Sequence, residues 1–288
     1  GGTVEAGNGN LIPATLDLSL IEGLSANSNV YLIRPPRQAI ADVTIESMGL
    51  INATAWNSAG YGGSGVSIGI LDLGFANYSD RVSEGELPVI ADFNWSPSLG
   101  GPGSSVHGTA CAEIIHDIAP NASLYLQNVQ YDSEWADAVQ WLIDQDVDII
   151  SCSLAFLNDG PGDGTGTICD AVSDAAAAGI LWVNSAGNYA EGHWMGDWSD
   201  ANENGWYNFN ASDETNTIYA DSGDTIWMGL RWDDPWDASS NDYDLYLFNS
   251  SISIVDSSVS TQNGSQGPTE LITYTATYTG NYHIGINN

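Results

Sequence analysis

No lysine occurs in these 288 residues, and arginine stands only at Arg34, Arg37, Arg81 and Arg231 against 37 acidic residues, a formal charge of −33. A surface of that sign repels nucleic acid and anionic lipid, so neither is an expected partner. Long apolar runs are missing too: nothing reaches the roughly 18 residues that a membrane span requires. Nor does a basic stretch followed by an apolar core open the chain, as a signal peptide would. Cysteine is scarce, and Cys111, Cys152 and Cys169 are too few and too unevenly placed for a disulfide framework. Cys111 and Cys152 lie in apolar stretches and read as buried small residues, with a Cys152–Cys169 bridge as the alternative for the second of them.

What is present begins with carboxylates. Two surroundings suit so many of them with so few cations: high salt, which screens them, or an acidic medium, which neutralises them. Both imply an extracellular, secreted protein. Asn-X-Ser/Thr triplets at Asn52, Asn77, Asn94, Asn121, Asn210, Asn249 and Asn263 are candidate N-glycan acceptors in that compartment. The opening Gly1-Gly2-Thr3 reads as a processed or trimmed start.

Residues 1–50 are weakly patterned and read as an N-terminal extension or the tail of a pro-segment; Val30-Tyr31-Leu32-Ile33 is a strand stopped by Pro35-Pro36. A short helix over Ala53-Thr54-Ala55-Trp56-Asn57 precedes a glycine-rich turn. From there strand and helix alternate. The continuous apolar run Val66 to Leu71 predicts a fully buried strand. His107 to Asp117 predicts a helix with Ala110, Ile114 and Ile115 on its buried side. Strands are expected at 122–126, 147–153 and 180–183, and helices from Ser133, as N-cap, with Trp135, Ala138, Val139 and Leu142 inward, and over 168–178, closed by Gly179. This alternation predicts a doubly wound parallel α/β sheet over residues 51–192.

Beyond about residue 193 the helical period disappears. Alternating strands at 225–232, 243–248, 271–278 and 282–286, separated by Asp, Asn, Ser and Gly turns, predict an antiparallel β-sandwich over 193–288.

Three segments carry chemistry. The first strand ends in Asp72-Leu73-Gly74; His107-Gly108-Thr109-Ala110 opens a helix; and a later strand runs into Ser185-Ala186-Gly187-Asn188. A carboxylate to orient an imidazole, the imidazole as general base, and an amide to stabilise an oxyanion are what a serine hydrolase needs around its nucleophile. An esterase on another α/β fold is disfavoured, because its nucleophile precedes the Asp and His.

In that order, and with Asp117-Ile118-Ala119-Pro120, Val147-Asp148-Ile149-Ile150 and Ser151-Cys152-Ser153-Leu154 between them, these segments resemble the subtilisin-like serine peptidases over residues 51–192. The resemblance implies catalytic roles for Asp72 and His107, an oxyanion donor in Asn188, and a peptide-binding backbone at Ser153, Leu154 and Ala155. It implies a protein or peptide substrate and no cofactor for the chemistry. Ala155 departs from the glycine usual there, and Leu73 from the usual Ser or Thr.

The larger departure is the nucleophile. No Gly-Thr-Ser segment follows Asn188 within the 288 residues, so the chain reads as a fragment whose serine lies beyond Asn288 and which is itself inactive. The β-rich part, with Arg231-Trp232-Asp233-Asp234-Pro235-Trp236 and Asn241-Asp242-Tyr243-Asp244, is similar to the pre-peptidase C-terminal type of β-sandwich and reads as an insert. The alternative is a non-catalytic extracellular binding or surface protein that keeps the fold. As for ions, Asp200, Asn202 and Asn204 before Gly205 match half of a calcium loop, but Ala211 stands where a bidentate Glu is needed, so a plain turn competes. Asp233, Asp234, Asp237, Asp242 and Asp244 form a second candidate cluster for a structural Ca2+.

Overall fold

The computed structural model describes residues 47–288 apart from 157, 189–191 and 212, together with residues 3, 4, 14, 15, 19, 23, 24 and 27. Two compact units result, Gly1–Thr44 and Ile45–Asn288. In the first, β1 (Thr3–Val4) pairs antiparallel with β2 (Ala14–Thr15). The strand expected at 30–33 lies outside the described residues.

The second unit begins with α1 (Ser47–Leu50) and α2 (Ala53–Ser58), then β3 (Ser67–Asp72), α3 (Tyr78–Glu84), β4 (Asp92–Asn94) and α4 (His107–Ile118). It continues through β5 (Ser123–Asn128), α5 (Trp135–Asp144), β6 (Ile149–Cys152), α6 (Thr167–Ala177) and β7 (Leu181–Asn184). The five strands β3 to β7 form one sheet in the order β4-β5-β3-β6-β7, every pairing parallel.

The apolar run of β3 is buried on both faces, as its composition demands. Ile68 and Ile70 pack with Phe75, Ala112, Leu124 and Leu126 on one side. Leu71 packs with Val139, Leu142, Ile150 and Cys152 on the other. Each fully buried Leu or Ile here stabilises the fold by about 1.5–3 kcal/mol. At Gly69 the helix comes so close that a Cβ would stand 2.7 Å from Leu142, which is why the run is broken there by a residue without a side chain. Trp135, Ala138, Val139 and Leu142 are the buried residues of α5, as their spacing predicts. Gly179, at φ +90, closes the turn after α6.

Three local expectations are corrected. On α4 the buried residues are Gly108, Thr109 and Ala112, whereas Ala110 is exposed and Ile114 is 46% exposed. The helix is rolled so that Gly108 faces β3, and that contact overrides the hydrophobic count. Ser133 is no N-cap: a 3-10 turn over Asp132–Glu134 precedes α5, Asp132 accepts the Ser133 N–H, and α5 starts from Glu134 without a side-chain cap. All three cysteines are free: Cys152 is buried as expected, whereas Cys111, expected to be buried, is half-buried.

Strands β8 (Asn216–Ala220), β9 (Thr225–Arg231), β10 (Asp244–Phe248), β11 (Ile254–Ser258), β12 (Thr269–Thr275) and β13 (Gly280–Asn287) are all antiparallel. One sheet runs β11-β10-β13-β8 and the other β12-β9. Leu245, Leu247 and Tyr282 of the first meet Ile226, Met228 and Ile272 of the second in one core, the face-to-face packing that alternating strands produce.

Candidate active site

From β3 the chain passes to β4 and β5 on one side of it and then crosses to β6 and β7 on the other. The carboxyl end of β3 is therefore the switch point of the sheet, where such folds leave a crevice. Asp72 is the last residue of β3 and is fully buried. The His107 Nδ1–H donates to its carboxylate, with separations of 2.9 and 2.8 Å to the two oxygens. The Leu73 N–H donates to Oδ1 at 2.8 Å, and the Val129 N–H to the Asp72 carbonyl at 2.9 Å.

Burial is the largest influence on the Asp72 carboxyl and raises it above the ordinary carboxylate range; the hydrogen bond and charge of His107 and the Leu73 N–H offset this only in part. The His107 side chain is 54% exposed, so the dyad has one dry end and one wet end.

Gly108 explains how α4 gets this close. A Cβ on it would stand 2.6 Å from the Gly74 carbonyl and 2.8 Å from the Asp72 Cβ. In its place the Gly108 N–H donates to that carbonyl at 3.0 Å, and Thr109 Oγ1 donates to the Ala76 carbonyl at 2.9 Å. The loop leading into α4 is tied to the same rim. Phe75 and Ala76 N–H groups donate to Pro102 and Ser105 carbonyls. Asn128, buried at the end of β5, accepts from the Ser96 N–H and donates to the Gly101 carbonyl.

The parallel register carries Ser153 to the same rim, one residue beyond Cys152, which pairs with Leu71. Ser153 and Leu154 are half-buried and Ala155 is exposed. Asn188 is exposed in the loop beyond β7, after Gly187 at φ +81. Because the strands are parallel, that loop leaves the same edge as Asp72. The expected catalytic and substrate-binding residues thus lie toward one edge, and two of them, Asp72 and His107, are in direct contact.

Residues 200–205 form a turn closed on itself. Asp200 accepts from the Asn204 and Gly205 N–H groups, and the Asn202 and Asn204 amides donate to Glu214. Asp234 likewise accepts from Ser239, Ser240 and Asn241. Among the described residues, the grouping of three His, Cys, Asp or Glu ligand atoms within 4.8 Å of one another is Asp72, His107 and Cys111.

Two features of the site escaped the sequence reading. Cys111, one helical turn after His107, places Sγ 3.9 Å from Nδ1, and its thiol is raised by burial and by the Asp72 charge, with a Ser153 hydrogen bond in partial compensation. Only the four-residue spacing on a helix hinted at this. Glu134 braces the neighbouring loop: it accepts from Ser98 N–H and Oγ, both at 2.9 Å. Burial opposes ionisation there, but these bonds with those from Gln130 and Tyr131 hold its carboxyl below the usual range.

A buried carboxylate orienting a half-exposed imidazole at the switch point of a parallel sheet is the arrangement that general-base sites of hydrolases use. Residues 63–229 match the family model described as the subtilase family, Peptidase S8. The chain belongs to that family, and the match reaches into β9, beyond the segment in which the motifs lie. Its sequence is 31% identical over 150 residues to subtilisin DY of Bacillus licheniformis, covering 48% of this chain and 53% of that protein. It is 30% identical over 201 residues to subtilisin E of Bacillus subtilis, covering 62% and 49%. It is 28% identical over 190 residues to a thermostable alkaline protease of Halalkalibacterium halodurans, covering 62% and 51%. The chain spans about half the length of the curated relatives it matches.

Proposed function

We propose that this chain is the Asp- and His-bearing part of a secreted serine endopeptidase of subtilisin type, acting on protein or peptide substrates. The contact of His107 Nδ1 with the buried Asp72 carboxylate at the sheet's carboxyl edge carries the reading. In this mechanism Asp72 holds the imidazole in the Nδ1–H tautomer and stabilises the imidazolium, leaving Nε2 free to take the proton of an attacking serine. The serine is supplied from outside the 288 residues, so the chain by itself does not hydrolyse peptides. Asn188 donates its amide to the tetrahedral oxyanion, a contact whose loss costs roughly 3–4 kcal/mol of transition-state stabilisation. Ser153, Leu154 and Ala155 receive the substrate backbone as an added strand.

On this reading residues 1–50 are an N-terminal extension or pro-segment tail, 51–192 the catalytic part, and 193–288 a β-sandwich insert. No cofactor enters the chemistry, and N-glycans and a structural Ca2+ are accessory. The Ca2+ is tested by melting the chain with and without chelator; an unchanged midpoint removes it.

The decisive experiment extends the chain past Asn288. The extended protein should cleave a denatured protein substrate and react with a fluorophosphonate probe, and lose cleavage on His107→Ala, while the 288-residue chain does neither. A continuation with no serine at a glycine-rich helix start, or cleavage indifferent to His107, would end the proposal and leave a non-catalytic extracellular protein.

A further inference from the structure

We propose that the outer face of the two-stranded sheet β12-β9, with Trp227 and Leu271, is a wall of the substrate cleft that takes an apolar side chain of a protein or peptide substrate. The substrate role rests on the peptidase reading above, whereas the apolar binding is tested without it. Side chains alternate along the two strands, so Ile226, Met228 and Ile272 fill the core while Trp227 and Gly229 face outward beside Thr273 and Leu271. Trp227 is 56% and Leu271 49% exposed. Trp227 pairs with Thr273 and Gly229 with Leu271, which makes Trp227 and Leu271 diagonal neighbours, a separation that an aromatic ring spans. The one carboxylate of these strands, Glu270, is buried and held by Ser258, Ser260 and Gln262. On a chain with 37 acidic residues, a face that shows water a tryptophan and a leucine and no carboxylate is a binding surface rather than a solvated one.

The loop that follows Ser153–Ala155 sets this face beside the substrate. Phe156 packs edge-on against Trp135 and joins the core of the parallel sheet. Asn158 then donates to the Leu230 carbonyl at 3.1 Å and lies over Gly229, where a Cβ would stand 2.3 Å from its Nδ2 and 3.2 Å from Leu271. Further on, Gly162 lies against the Arg231 guanidinium. The loop therefore advances along β9 from Gly229 to Arg231, and the residues before Asn158 arrive from the Trp227 side. From Asn158 back to Ala155 the chain reaches at most about 11 Å, and from Gly229 to Trp227 the strand covers about 7 Å.

A peptide added as a strand to Ser153–Ala155 sends alternate side chains to opposite faces, and one set turns to the Trp227 and Leu271 wall. The wall touches neither His107 nor the bond that is cut. It holds the ground state and the transition state alike, so its loss raises KM and leaves kcat unchanged.

The test uses two synthetic peptides of equal length, one with leucine and one with serine at every second position, and the 288-residue chain with 15N in its tryptophan indoles. The Trp227 indole resonance, identified as the one lost in Trp227→Phe, should shift on titration with the leucine peptide and stay in place with the serine peptide. Affinity for the leucine peptide should fall by about tenfold in Trp227→Ala and in Leu271→Ser. It should hold in Tyr219→Ala, which removes an exposed aromatic side chain from the other antiparallel sheet. Thermal melts establish that each variant is folded. A resonance that does not move, one that moves equally with both peptides, or an affinity indifferent to Trp227→Ala and Leu271→Ser would overturn the wall. In the extended protein, should it prove active, Trp227→Ala should raise KM for the leucine peptide by about tenfold at unchanged kcat and leave cleavage of the serine peptide as it was; an equal loss on both peptides would overturn substrate selection by this face. An inactive extended protein would instead count against the peptidase reading alone.

Discussion

Asp72 in the parallel sheet and Asp234 in the β-rich part are the same side chain in opposite situations. Asp72 is fully buried, and its carboxyl is raised by burial despite an imidazole and one N–H. Asp234, at a turn, accepts from Ser239 Oγ, the Ser240 and Asn241 N–H groups and the Asn241 amide, and is lowered to about 2, the Asn241 N–H being the leading cause. A carboxylate that serves structure is surrounded by donors. Asp72, to which the proposed function gives a catalytic role, is left short of them, so that its remaining partner, His107, is held all the more firmly.

The sharpest way to break this contrast is Asp72→Asn. In a serine-bearing parent it should lower kcat/KM by about 10^4-fold, because the wrong imidazole tautomer is then favoured. The melting midpoint of the 288-residue chain at neutral pH should hold or rise, since a costly buried charge has gone; a drop of the midpoint would show that Asp72 is a structural acid. Gly108→Ala comes next. With backbone and the Asp72 Cβ inside 3 Å of the new methyl, it should destabilise the chain by about 1–3 kcal/mol, read by denaturant unfolding.

Asp234→Ala should cost about 2 kcal/mol through its orphaned turn donors and leave the site untouched. Its pH dependence separates the two acids. Asp234 has a folded value below its ordinary 3.8, so its contribution is in place above that value and is lost as pH falls toward 2. Asp72 has a raised folded value, so its contribution is present below its ordinary value and is lost as pH rises through the folded one. Stability curves of the two single variants against the parent should therefore diverge in opposite directions as pH rises.

The smallest effect expected is at the seam between the two regions. Asn158 donates its amide to the Leu230 carbonyl at 3.1 Å, and Gly162 lies against the Arg231 guanidinium. Arg231 is exposed, so Arg231→Ala should cost no more than about 1 kcal/mol. It should nonetheless speed amide exchange over residues 158–166, the stretch that follows Ser153–Ala155. Unchanged exchange would show that the two regions merely touch.

The parallel sheet was well legible because its signals are local and strong. The apolar run ending at Leu71, the Trp135, Ala138, Val139 and Leu142 spacing, and Gly179 each announce their element. Elements without such a stripe were missed: α3 buries no residue, β4 is a three-residue edge strand, and β8 and β11 are short strands at the edges of their sheet. At the site, the order of Asp72, His107 and Asn188 was readable, whereas the places of Cys111 and Glu134 were not. Cys111 stands at a helical spacing from His107, but its nearness to Asp72 and the place of Glu134 follow from no period, since they depend on which loop faces which helix.

The chain's own composition and order determined its acidity, its alternation of strand and helix, and the sequence of the Asp72, His107 and Asn188 motifs. Those are properties of short windows and of residue type. Only the tertiary structure decided that Asp72 and His107, 35 positions apart, would touch, that a thiol would stand beside them, and that the carboxylate would be dry while the imidazole stayed wet. Contacts of that kind depend on strand order and helix roll, which arise when the whole sheet closes and not in any single segment.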